Sequence, residues 1–230
     1  MIRNDAMTAR PGGATGAREQ AVLIPVGAVQ LQGNLTLPEQ ARGVVLFAHG
    51  SGSSRLSPRN RFVAQVLVEA GLATLLMDLL TADEERIDRQ TAHLRFDIGL
   101  LAARLLGATD WLRSQPATQA LGLGYFGAST GAAAALAAAA QRPDDVRAIV
   151  SRGGRPDLAR EALGLVRAPT LLIVGGNDAP VIEMNREAMR LMNAETQLHI
   201  IPGATHLFEE PGALEEVARL ARDWFLRYLS

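Results

Sequence analysis

Short apolar runs alternate along this chain with longer stretches in which apolar residues recur every three to four positions. "AVLIPVG" and "VQLQGNLTLP" read as two strands joined by a turn at Gly27. "GVVLFAHG" and "LATLLMDLL" are continuous apolar runs, as expected of strands buried on both faces. Between them "SPRNRFVAQVLVEAG" reads as a helix, with Ser57 as cap, Pro58 at the first helical position and Gly71 as stop. Residues 88 to 114 carry a long amphipathic pattern through Leu94, Ile98, Leu101, Leu105 and Leu112, predicting one helix. Then follow strand "LGLGYFG", a helix from Ser129 to about Arg142, strand "VRAIVSRGG", short helix "PDLAREALG", strand "APTLLIVGGND", helix "APVIEMNREAMRLM", strand "TQLHIIPGATH" and a closing helix "GALEEVARLARDWFLRYL".

Strands alternating with helices predict parallel βαβ units, and so an α/β fold with helices on both faces of one sheet. The length of 230 residues suits one domain, expected over 21–230. Residues 1–20 are rich in Gly, Ala, Arg and Thr and read as a disordered arm or a remnant, without the apolar core of a secretory signal. No apolar run reaches the roughly 18 residues of a membrane span. A cytoplasmic location is therefore expected. A net charge of −1 favours neither nucleic acid nor an anionic membrane as partner. The absence of cysteine removes disulfides, thiolate metal sites and a cysteine nucleophile.

The chemistry concentrates around "GYFGASTGAA", where Gly127 and Gly131 bracket Ser129 between a strand and a helix. Gly-x-Ser-x-Gly in that setting is the pattern of a nucleophile elbow: a sharp turn that only small flanking residues allow, with the serine Oγ held out at the strand end. The helix N-terminus behind it favours a developing negative charge. The plainer alternative is a helix-capping serine in a tightly packed turn.

A serine hydroxyl needs a base, and the base an orienting acid, in chain order Ser, Asp or Glu, His for this kind of sheet. Of four histidines only His199 and His206 follow Ser129, and His199 falls within a strand pattern. His206, in the loop "PGATHLFEEPG", is the candidate base. Asp178, just past "LLIVGG", is the candidate acid, with a helix cap as its plainer alternative. Asp157, Glu209 and Glu210 compete for that role. The loop "HGSGSSRLSPRNR" offers the Ser51 N–H as one oxyanion donor, and the Thr130 N–H supplies the other. His49 is expected to brace that loop. Arg55, Arg59 and Arg61, and then Arg152 and Arg155, cluster in loops at the active edge. Surface ion pairing explains such arginines. The alternative is recognition of an anionic substrate group by Arg152, Arg155 or Arg55.

"AHGSGSS", "GYFGASTG", "GGNDAPV" and "GATHLF", in this order and each after a predicted strand, resemble the α/β-hydrolase superfamily, specifically its dienelactone-hydrolase-like branch, over about residues 20–230. The resemblance implies an eight-stranded, mostly parallel sheet with an antiparallel second strand. It also implies a Ser-Asp-His or Cys-Asp-His triad and no cofactor; carried onto this chain, the triad is Ser129, Asp178 and His206, with oxyanion donors Ser51 and Thr130, and no metal site is expected. True dienelactone hydrolases use a cysteine, so a serine in its place points instead to small carboxylic esters or lactones. The short segment between "VRAIVSRGG" and "APTLLIVGG" leaves no room for a large cap domain. The expected partner is a small-molecule ester, and association as a homo-oligomer stays open. An amidase, acyltransferase or perhydrolase with the same triad, and a non-catalytic hydrolase-like binding module, stand as alternatives.

Overall fold

The structure, a computed structural model, describes residues 16–230. Eight strands form one sheet in the order β1-β2-β4-β3-β5-β6-β7-β8. They are β1 (Arg18–Val26), β2 (Val29–Leu37), β3 (Gly43–Ala48), β4 (Ala73–Met77), β5 (Gly122–Ala128), β6 (Val146–Arg152), β7 (Thr170–Gly175) and β8 (Thr196–Ile201). β2 runs antiparallel to both β1 and β4, and every other pairing is parallel. The two outcomes follow from connection length. Gly27, at φ 58°, turns β1 back on β2 directly, whereas each parallel neighbour is reached through a helical crossover.

Helices α1 (Pro58–Glu69), α2 (Ala82–Thr91), α3 (Ile98–Ser114), α4 (Thr130–Gln141), α5 (Ala179–Leu191) and α6 (Ala213–Leu229) cover the sheet. α3 and α4 close a core around Leu46, Leu75, Tyr125 and Leu136 on one face, and α1 and α6 close a second around Phe47, Phe126, Val217 and Phe225 on the other. β3 and β5 are buried throughout, which is why their sequences are apolar without alternation. Each fully buried Leu or Phe contributes on the order of 2 kcal/mol against exposure. Among the described residues no helix is long and apolar enough to cross a membrane.

Two expectations need correction. The 88–114 pattern is not one helix. α2 ends at Ala92, which is left-handed at φ 51°, a 3-10 turn covers Leu94–Phe96, and α3 starts afresh. The cause is side-chain competition for the backbone. The Asp88 carboxylate takes the N–H groups of Leu94 and Arg95 at 2.7 and 3.1 Å, and Asp97 caps α3 by accepting from the Leu100 N–H at 2.9 Å. The second correction is that β1 begins at Arg18, inside the stretch 1–20 read as an arm. Its polar residues occupy an edge strand whose backbone pairs with β2 from Arg18 opposite Leu37 onward. Residues 1–15 lie outside the described residues.

Candidate active site

Ser129 follows β5 without a spacer and opens α4. Its backbone stands at φ 51°, ψ −122°, a conformation that costs a non-glycine residue on the order of 1–3 kcal/mol. The turn is possible because nothing protrudes around it. A Cβ on Gly131 would come within 2.5 Å of the His49 carbonyl oxygen and closer still to that of Ala48, and one on Gly127 would strike the Ala132 backbone. The Ser129 hydroxyl makes no cap bond to α4, so it is not spent as a helix cap.

Asp178 and His206 meet directly. Each stands in the loop that leaves the C-terminal end of its strand, β7 and β8 respectively. His206 Nδ1 donates to Asp178 Oδ2 at 2.7 Å. A carboxylate can only accept, so the proton sits on Nδ1 and Nε2 is left as an acceptor. The two loops are stitched together by the Asn177 N–H on the Ala204 carbonyl at 2.9 Å, Asn177 Nδ2 on the Gly203 carbonyl at 2.8 Å and the Gly176 N–H on the Ile201 carbonyl at 2.8 Å. Asp178 opens α5 but its side chain caps nothing there. Its carboxyl is 15% exposed and the His206 side chain 40%, so the ring faces solvent while the carboxyl lies beneath it.

No hydrogen bond links the Ser129 hydroxyl to the His206 ring. Both border the end of β6. The Ser129 N–H donates to the Arg152 carbonyl at 3.2 Å, and a Cβ on the next residue, Gly153, would lie 3.5 Å from His206 Cε1. Buried Asn185 on α5 fixes this segment by donating to the Gly154 carbonyl at 3.0 Å.

The other acids are engaged elsewhere. Asp157 takes both Nε and Nη2 of Arg155, at 2.9 and 2.7 Å. Glu209 pairs with Arg59 at 3.2 Å. Glu210 accepts the Thr205 N–H at 3.0 Å, and the Thr205 hydroxyl, followed by that N–H, holds its carboxyl below the usual range. His199 lies on β8, 3.8 Å from Glu216.

The Ser51 and Thr130 N–H groups have no backbone acceptor among the described residues. The loop carrying Ser51 is braced by His49. Its Nδ1 donates to the Gly50 carbonyl at 2.9 Å and its Nε2 accepts the Leu79 N–H at 3.1 Å. Burial, the largest influence on this ring, lowers its pKa and keeps it neutral, as both bonds require. Ser51 and Thr130 line a cleft of about 250 Å³ with Leu79, Leu80, Leu101 and Arg89. The break in the 88–114 pattern shapes this cleft, because Asp88 and Arg95 also line it.

The three candidate substrate-binding arginines differ in their partners. Arg55 is held by Asp78 through its N–H at 2.7 Å and Nη1 at 2.5 Å, and Arg155 by Asp157. Among the described residues Arg152 meets no carboxylate, and of its side-chain nitrogens only Nη2 has a partner there, Asn60 Oδ1 at 3.4 Å. Asp78, Asn60 and Asn185 were not singled out from sequence. Asp78 alone left a signal there, as an acid at the end of a buried strand. Among the described residues no group of three or more His, Asp or Glu is placed to hold a metal ion.

Sheet order, crossovers and a strained serine at the end of β5 define an α/β hydrolase of the cap-free kind. The profile of the Dienelactone hydrolase family matches residues 31–230, and the chain belongs to that family. It is similar to a crystal structure of dienelactone hydrolase from Anabaena variabilis, with 65% identity, a TM-score of 0.92, and coverage of 93% of this chain and 99% of that one. It is 59% identical over 212 residues to a Mycobacterium tuberculosis protein whose name proposes a phosphoribosyl transferase, covering 92% of this chain. The chain spans 47% of that relative's length. A cold-adapted esterase from an Arctic intertidal metagenomic library shares the fold, with a TM-score of 0.74, 17% identity and coverage of 97% of this chain and 100% of that one.

Proposed function

We propose that the chain is a serine esterase acting on small carboxylic esters or lactones through an acyl-enzyme on Ser129. The observation that carries this reading is the 2.7 Å bond from His206 Nδ1 to Asp178, beside a serine held at positive φ. His206 Nε2 accepts the Ser129 proton as Oγ attacks the ester carbonyl carbon. The carbonyl π electrons move to oxygen, and the oxyanion accepts from the Ser51 and Thr130 N–H groups. The tetrahedral intermediate collapses, the bond to the leaving oxygen breaks, and the imidazolium gives that oxygen its proton. Water then repeats the sequence on the acyl-enzyme and releases the acid. A direct Ser129–His206 hydrogen bond is not required of the mechanism before the reacting complex forms, because such bonds commonly tighten only there. The cleft beside Ser51 and Thr130 offers room for a small apolar group.

The name of the Mycobacterium tuberculosis relative suggests a different activity. The family match covers residues 31–230 of this chain, and the chain accounts for 47% of that relative, whose name does not say which part of it would carry that activity.

The test is hydrolysis of short-chain p-nitrophenyl esters by the wild type and Ser129→Ala, with covalent labelling by a fluorophosphonate. Turnover and labelling are expected in the wild type. Loss of both is expected in the variant, with kcat down about 10³-fold or more. Ester turnover that survives Ser129→Ala ends the reading.

A further inference from the structure

Arg152 is the last residue of β6 and only 9% exposed. Its Nε and Nη1 are buried without a hydrogen-bond partner among the described residues. Its one bond, to Asn60 Oδ1 at 3.4 Å, aims the guanidinium at the first turn of α1. What surrounds it there is positive. Arg59, in the same turn, spends Nη1 on Glu209 at 3.2 Å but keeps a buried Nε without a partner. The N-terminus of α1 adds the positive end of a twelve-residue helix. The Phe208 ring, 6.0 Å from the guanidinium carbon, forms an apolar wall. Burial, and then the Arg59 charge, push the Arg152 pKa down to about 10, which still leaves it charged at neutral pH.

A buried charge is ordinarily paired, because losing water without gaining a partner is costly. Arg104, equally buried, obeys this rule through Glu84, and the half-buried Arg55 and Arg155 are likewise paired, with Asp78 and Asp157. Arg152 does not, and its place is one the chemistry would use. Its carbonyl holds the Ser129 N–H at 3.2 Å, and the next residue packs against His206. We infer that Arg152, with Arg59 and the first turn of α1, binds an anionic oxygen group, carboxylate or phosphate, carried by the substrate. The substrate part of this inference rests on the esterase reading above, whereas the anion site stands on its own. In such a substrate the ester carbonyl sits over Ser129, and the anion lies on the α1 side of it. Guanidinium donors suit both anions, since each offers paired oxygens.

Two measurements test it. In the first, Ser129→Ala protein is melted with increasing inorganic phosphate or glutarate. A saturable rise in Tm is expected with at least one of them, and its loss in Ser129→Ala/Arg152→Gln. Equal rises in both proteins, or none in either, overturn the site. Which anion acts identifies the group. In the second, kcat/KM is compared for carboxylate-bearing and phosphate-bearing esters against neutral isosteres. The preference for the charged ester is expected to fall at least 10-fold in Arg152→Gln and to be partly kept in Arg152→Lys. An equal loss on charged and neutral esters overturns substrate recognition. Arg152→Met in anion-free buffer is expected to melt no lower than the wild type, because the charge it removes is unpaired. A marked drop would make Arg152 a structural residue and overturn the inference. If the wild type turns over no ester, the esterase reading fails, and the melting series still decides the anion site.

Discussion

The Asp178 carboxylate and the His206 ring, 28 residues apart in sequence, are joined by a 2.7 Å hydrogen bond that fixes the imidazole proton on Nδ1. Asp178→Asn keeps the shape and reverses the chemistry. The amide can donate to Nδ1, which places the ring proton on Nε2, where it blocks acceptance of the serine proton. The expected outcome is a fall in kcat of about 10³-fold or more with little change in KM and an unchanged melting temperature. Steady-state kinetics on a p-nitrophenyl ester, beside a thermal melt, checks it. A variant within a few-fold of the wild type would remove Asp178 from the mechanism.

Gly131 tests the steric account of the turn. Its missing side chain is what lets the backbone of α4 pass the Ala48 and His49 carbonyls. Gly131→Ala therefore forces β3 and α4 apart. Overpacking of this kind costs about 1–3 kcal/mol, which for a chain of this size lowers Tm by roughly 3–10 °C. Gly203 is the control: a Cβ there meets nothing within 4 Å, although its φ of 75° still strains any side chain. Differential scanning calorimetry should show the larger loss in Gly131→Ala, with turnover falling as the oxyanion loop shifts.

The alternation of strands and helices was open to sequence reading because β3, β4, β5 and β7 are buried on both faces and their residues are apolar without a break. Ser129, Asp178 and His206 could be proposed for a related reason: each stands just past a strand pattern, Ser129 and Asp178 past buried β5 and β7 and His206 past the half-buried β8. What stayed hidden depends on which side chain finds which. Nothing in "RIDRQTAHLRFD" announces that Asp88 will turn back onto the Leu94 and Arg95 N–H groups and split a helix. Nor does the sequence distinguish Arg55, paired across 23 residues to Asp78, from Arg152, paired to no acid. Those differences arise only when distant loops meet.

The strain at Ser129 makes a prediction that separates stability from activity. Glycine takes φ 51°, ψ −122° at no steric cost, whereas alanine keeps the Cβ that makes it unfavourable. Ser129→Gly regains the strain but loses some of it to the greater freedom of the unfolded chain. The expected net is that Ser129→Gly is about 1 kcal/mol more stable than Ser129→Ala, or roughly 2–4 °C in Tm, while both are inactive. Chemical denaturation of the two variants side by side measures this. Equal stabilities would mean that the surrounding structure does not hold the serine against its preference.

The last prediction concerns the wall of the cleft and its response to acid. Asp88 is 2% exposed. Burial alone would raise its pKa, but the Arg95 N–H, the Arg95 guanidinium at 2.6 Å and the Leu94 N–H bind the charged form and bring it below the ordinary value. An acid whose folded pKa is depressed adds stability that is fully present above its unfolded pKa, about 3.9, and that is lost as pH falls toward the folded value. The segment Ala82–Phe96 should therefore loosen below about pH 4, ahead of the sheet, which carries no such dependence on this carboxylate. Asp88→Asn removes the charge at every pH. It is expected to melt below the wild type at pH 6, with the gap closing as pH drops from 5 to 3. Hydrogen exchange at the Leu94 and Arg95 amides should rise over the same interval in the wild type and stay high throughout in the variant. A gap in Tm that stays constant from pH 6 to 3 would show that the Asp88 charge does not hold this wall.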